Sequence, residues 1–189
     1  MKIVVKSHDQ ELDKRFYDEF LFIAAFHKRI RNNPKKKARG LSINYAIGLG
    51  VCICYILFFA SFIFWSGYTV LDYALIGVIM ALIFIYIKGL IAVKKRLKLY
   101  LENKEETIFE ITKNEVKIEK KNQKLQLDWD SIEKVLVNKY SVVFLPKDET
   151  MIMIGISTEY KDPILEELKK LKKTDLIIDN SNRYKYKNK

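Results

Sequence analysis

Apolar residues are distributed along this 189-residue chain in three distinct patterns. Residues 40–71 run without one charge, and residues 73–93 carry a single one, Lys88. Only Asp72 separates the two runs. A helix rising about 1.5 Å per residue needs about 20 residues to cross a bilayer's hydrocarbon core, and each run is long enough. The pattern predicts a transmembrane hairpin, with helices over about 41–64 and 73–93 and a turn between them. A second pattern, of period 3.6, precedes it: Leu12, Phe16, Phe20, Ile23, His27 and Ile30 mark an amphipathic helix. Ser7 stands at its N-cap position, with Gln10 as reciprocal partner. The short β-prone stretch 2–6 comes before it.

The third pattern, of period 2, begins beyond residue 106. Segments 107–112 and 115–119 flank a Lys113-Asn114 turn, and Leu125, Leu127 and Trp129 alternate with polar residues. Further strands are expected at 132–138, 141–145 and 151–156, with a helix from Asp162-Pro163 to about Lys173 bearing Ile164, Leu165, Leu168 and Leu171 as a stripe. Segments 142–144 and 151–153 are expected to leave an edge open to a partner strand. The fold class expected is therefore an α+β membrane protein: a transmembrane helical hairpin plus a small antiparallel β domain capped by a C-terminal helix. Its divisions are a strand and amphipathic helix over 1–40, the hairpin over 41–98, the β domain over 99–175 and a basic tail over 176–189. The helix of the first division is too apolar to stand in water. It either lies in the headgroup layer or docks on the β domain.

Charge orients the hairpin. Of the formal +11, residues 1–100 hold 16 Lys and Arg against 6 Asp and Glu, whereas residues 101–189 hold 18 against 17. The excess forms two collars, Lys35, Lys36, Lys37 and Arg39 before the first apolar helix, and Lys94, Lys95, Arg96 and Lys98 after the second. The link at 65–72 has no basic residue, so the positive-inside rule predicts a multi-pass protein of the cell membrane with both termini cytoplasmic. The first apolar run starts too far along the chain for a cleaved signal peptide. The collars are expected to face anionic lipid headgroups. With the β half nearly neutral, the basic balance does not point to nucleic acid.

Inside the apolar runs, Ala46, Gly50 and Cys54 recur at i, i+4, as do Gly77 and Ala81. Such stripes let helices approach closely, within the hairpin or, less simply, in a homo-oligomer. Cys52 and Cys54 point to opposite sides of one helix and do not make a metal site. His8 and His27 lie far apart, and the chain carries no Gly-rich phosphate loop, nucleophile elbow, HExxH or cysteine cluster. No catalytic residue, cofactor or metal is expected.

Four features together resemble the YcxB-like family of bacterial membrane proteins. They are the first strand with the acidic-aromatic Asp18-Glu19-Phe20, the basic stretch before two close apolar runs, the Trp129-x-x-Ile132 strand entry, and the Phe144-Leu145-Pro146-Lys147 step. Asp148-Glu149-Thr150 departs from the usual direct entry into the last strand and lengthens that turn. The resemblance implies a pleckstrin-homology-like (PH-like) cytoplasmic half and no established activity. The expectation is a non-enzymatic, membrane-anchored interaction module serving a lipid or an unknown protein partner. The alternative is a protective protein, such as one giving self-immunity against a membrane-active bacteriocin.

Overall fold

The computed structural model describes residues 1–5, 9–34, 38, 40–66, 69–102, 106–120, 123–148 and 150–181, with the backbone alone at 63–66. The chain is α+β. Strand β1 (Lys2–Val5) leads into helices α1 (Gln10–Ala25) and α2 (His27–Asn32), then the two long apolar helices α3 (Leu41–Ser66) and α4 (Val70–Glu102). Strands β2 (Thr107–Ile111), β3 (Glu115–Lys120), β4 (Gln123–Asp128), β5 (Ile132–Val137), β6 (Ser141–Pro146) and β7 (Ile154–Ser157) follow, closed by helix α5 (Lys161–Lys170) and strand β8 (Ile177–Asp179).

The strands form two four-stranded sheets, ordered β1-β2-β3-β4 and β7-β6-β5-β8. All pairings are antiparallel except β8 on β5. Period-2 patterning puts Phe109, Ile111, Val116 and Leu127 of the first sheet against Val135, Val137, Val142, Phe144, Ile154 and Ile156 of the second. Ile164 and Leu168 of α5 plug the open end, the role their stripe implied.

Several expectations change in detail. The cap of α1 is Asp9, whose side chain accepts from the amides of Glu11 and Leu12; Ser7 lies outside the described residues. Trp129 is not a strand residue. It opens a 3-10 turn after β4, yet it is buried, with its indole N–H donating to the Thr112 carbonyl at 3.0 Å. The strand expected at 151–156 begins only at Ile154. β6 is hydrogen-bonded on both sides, so no free edge lies along 142–144; the edges of that sheet are β7 and β8. β1 belongs to the first sheet, pairing with β2 across more than a hundred residues. β8 adds a strand within the stretch read as tail.

α3 and α4 are long and apolar enough to cross a membrane. They pack as an antiparallel pair in which Leu41 meets Val93, a side chain at Gly89 would strike the Tyr45 ring, and one at Gly48 would strike the Tyr86 ring. The two rings lie edge to face, 6.3 Å apart. The small-residue stripe does not make this seam. Ala46, Gly50, Cys54, Gly77 and Ala81 are all exposed, and nothing lies within 4 Å of where a side chain at Gly50 or Gly77 would start. Glycines at 48 and 89 are what the seam uses, because each makes room for a tyrosine on the opposite helix.

Candidate functional site

Three consecutive residues of α1, Asp18, Glu19 and Phe20, join the long helices to the β domain. Side chains one residue apart on a helix point about 100° apart, so three in a row reach three different neighbours. Asp18 faces the long helices. Its carboxylate accepts from the Ser42 amide at 2.9 Å and from the Ser42 hydroxyl, satisfying a backbone donor that the first turn of α3 leaves free. A Cβ at Gly40 would fall 2.0 Å from the same carboxylate, so this approach requires glycine. Phe20 faces β7, where its ring fills the space a side chain at Gly155 would need.

Glu19 faces the turn between β5 and β6 and is only 2% exposed. It accepts from the Tyr140 amide at 2.9 Å and the Ser141 hydroxyl at 2.8 Å. Burial pushes its pKa up to about 7, against the pull of those two hydrogen bonds and of nearby Lys139. The polar chain continues from Ser141 to Asn138, whose side-chain amide lies 3.4 Å from the Ser141 hydroxyl, and to Asn180. Asn180 donates to the Pro34 carbonyl at 3.0 Å. Segments distant in sequence thus meet in one buried polar network.

Apolar contacts surround these polar ones. Ile23 packs with Leu136 and Val143, residues of β5 and β6 that point away from the main core, together with Ile30 and Ala38. On its other flank, Leu21 packs with Leu41 and Val93, and Tyr17 stacks on Tyr100 with ring centroids 4.1 Å apart. The second half of α1, residues 20–25, is apolar throughout because it is sandwiched. Of the two placements left open by the sequence, it takes the one against the β domain. A signal for this existed: Val135-Leu136-Val137 and Val142-Val143-Phe144-Leu145 are apolar on both strand faces, and a strand of that kind needs a cover on each.

Two clefts flank this junction. One, of about 290 Å³, opens between the Phe16, Tyr17 and Tyr100 rings and the strand residues Ile118, Leu125 and Ile154, with Asp13, Lys120 and Gln123 as polar lining. The other, of about 310 Å³, lies between α1–α2 and the end of β6, lined by Ala24, His27, Arg31, Pro146 and Met151 among others. Arg31 pairs with Glu133 at its edge at 2.7 Å. Among the described residues, no group of three or more His, Cys, Asp or Glu side chains is arranged to hold a metal ion.

Of the collar residues, Lys94, Lys95, Arg96 and Lys98 are exposed on the last turns of α4, with Lys98 3.6 Å from Glu102. Lys35, Lys36, Lys37 and Arg39 lie outside the described residues. Leu41 packs with Val93, the residue just before the second collar. Helical periodicity marked Phe20, whereas Asp18 and Glu19 entered the sequence reading only through the family resemblance. Comparison of the chain with family models, with curated proteins and with solved structures finds no match.

Proposed function

We propose that this protein is a non-enzymatic, membrane-anchored interaction module. On this reading α3 and α4 span the bilayer as a hairpin, both chain ends are cytoplasmic, and the β domain is presented at the bilayer surface to a protein or lipid partner. The arrangement of a four-stranded sheet, three antiparallel strands β5, β6 and β7, and a closing helix supports a PH-like description of that domain. The hairpin then enters between the first and second strands.

The observation that carries the reading is the α1 junction. Asp18 holds the start of α3 while Glu19 and Phe20 hold β6 and β7, so the β domain is fixed to the apolar helices by side-chain contacts as well as by chain connection. A domain mounted in one orientation offers the same surface to the membrane plane continuously. Weak intrinsic affinity for a partner in that plane then suffices, since confinement raises effective concentration. The exposed Lys94, Lys95, Arg96 and Lys98 put positive charge at the base of the mount, which suits anionic headgroups.

Cysteine accessibility in cells tests the topology. A cysteine at Lys113 should react with an impermeant maleimide only after permeabilisation, and one at Thr69 in intact cells; the opposite pattern overturns the reading. A photo-crosslinking residue at Gln123, on the first cleft, then tests presentation. Adducts with lipid or with a discrete protein are expected in native membranes, and a probe that reacts only with water removes the interaction role.

A further inference from the structure

Two series of contacts along α1 decide which end of the β domain meets the bilayer, given the spanning hairpin proposed above. Against α4, Tyr17 stacks on Tyr100 while Leu21 packs with Val93, so α1 advances toward the apolar section of α4 as its own numbering rises. Against β6, Glu19 holds Ser141, Ile23 packs with Val143, and Ala24 and His27 share a cleft with Leu145 and Pro146. β6 therefore advances in the same direction. Its far end, and the loop of residues 147–153 that follows, lies at the bilayer-facing end of the domain. The opposite end holds the turn after β7, where the Thr158 amide donates to the Tyr140 carbonyl at 3.2 Å and Glu159 is exposed.

That loop carries the domain's conspicuous apolar exposure. Met151 is 43% exposed and Ile152 63% exposed. Outside α3 and α4, the one other large apolar side chain so exposed among the described residues is Val4. Isolated exposed apolar residues need no explanation, but two adjacent ones at the end nearest a bilayer differ from that case. Exposed Lys147 precedes them in the same loop. Of the loop's acidic residues, Asp148 is engaged by the Thr150 amide and hydroxyl, at 2.8 Å each, and Glu149 lies outside the described residues.

We infer that the loop after β6 is an interfacial foot, with Met151 and Ile152 seated at the headgroup–acyl boundary of the bilayer that α3 and α4 span and Lys147 beside its anionic headgroups. The chemistry is that of an interfacial segment, apolar side chains inward and cations at the phosphate level. The inference rests on the spanning reading and extends it: the domain touches the membrane at a second place, away from the hairpin, and the second contact limits rocking about the first.

The test uses the full chain with Cys52 and Cys54 replaced by serine, reconstituted in vesicles of phosphatidylcholine and phosphatidylglycerol, three parts to one. An environment-sensitive fluorophore is placed on Ile152→Cys, on Glu159→Cys and on Phe58→Cys in separate samples. The probe at 152 should emit to the blue and be quenched by lipids spin-labelled near the headgroup, while aqueous iodide quenches only the probe at 159. Met151→Ser should reverse part of the shift at 152. A probe at 152 as open to iodide as the one at 159, and untouched by labelled lipid, overturns the foot. The probe at 58 separates the two claims. Quenching there by lipids labelled deep in the acyl chain, with none at 152, rejects the foot and leaves the hairpin standing. Its absence at 58 rejects the spanning reading itself.

Discussion

The paired long helices and the β domain handle apolar side chains in opposite ways. In the β domain, Phe109, Val135, Val142 and Phe144 are fully buried, and along β4 the exposed Lys124, Gln126 and Asp128 alternate with Leu125 and Leu127. In α3 and α4 the large residues Phe58, Phe62, Val78 and Phe84 point outward, while the line where the helices meet holds Gly48 and Gly89 beside tyrosines. A water-soluble pair of helices would put glycine outside and phenylalanine between. On the spanning reading proposed above, the inversion means that the two regions answer to different solvents. Close backbone approach holds one together, and removal of apolar area from water holds the other.

The sharpest way to break this comparison is to truncate one aromatic in each region. Trp129→Ala removes a buried ring that meets Phe144 edge to face and should cost about 3–5 kcal/mol. Phe58→Ala, at a site 66% exposed, should stay within about 0.5 kcal/mol. Denaturant unfolding of the full chain in mild detergent reads both; equal costs would mean that the two regions do not differ in the way described.

Next in size is the pH response of the junction between them. Glu19 binds its proton more tightly in the folded chain, at about 7, than at its ordinary value of 4.5. Protonation therefore favours the folded state. The contribution is complete below about pH 4.5, shrinks as pH rises, and is gone above about 7, for a total of a few kcal/mol at about 1.4 kcal/mol per unit. Wild type should lose stability between pH 5 and pH 8, and Glu19→Gln should flatten that slope. A Glu19→Gln profile parallel to wild type would assign the pH dependence to other groups.

Smaller effects are expected along the helix seam. Gly48→Ala and Gly89→Ala drive a methyl into the Tyr86 and Tyr45 rings and should cost about 1–3 kcal/mol each. Gly50→Ala and Gly77→Ala meet open space and should be neutral or slightly stabilising, as alanine favours helix. Thermal melts of the four variants settle the register, since the reverse ranking would put the small-residue stripe back in the seam. Smallest of all, Lys161→Ala breaks a surface pair with Asp179 at 3.0 Å and should change stability by less than about 1 kcal/mol in the same assay.

Local signals carried much of this architecture and non-local ones did not. Both long apolar helices were legible because hydropathy is a property of consecutive residues; only their ends moved, to Ser66 and to Glu102. Strands β2 to β4 were legible from alternation, and β5 and β6 as short apolar runs. The pairing of Lys2–Val5 with β2 was not, because nothing within four residues reports a partner so far along the chain. Trp129 kept its burial while losing its strand, since period-2 reasoning fixes the side facing the core better than it fixes the backbone. The small-residue stripe misled because size alone does not say which face of a helix meets its neighbour; the tyrosines opposite Gly48 and Gly89 do. The junction was visible only as a helix too apolar for water, and its polar contacts join residues up to 122 positions apart.

The pairing of β1 with β2 also imposes an order of events on a chain made from one end. Strand β1 is synthesised first, yet its hydrogen-bonding partner emerges only after both long helices have been completed. Until then its edge is open, and the first sheet lacks every other member. The helices, by doubling back, return the chain to within reach of Val5 and shorten the search that would otherwise close a loop of about a hundred residues. Completion of the sheet thus depends on the helices having first paired correctly. A chain whose hairpin is out of register would hold β1 away from β2, and its exposed strand edge would mark the failed molecule for recognition by quality control.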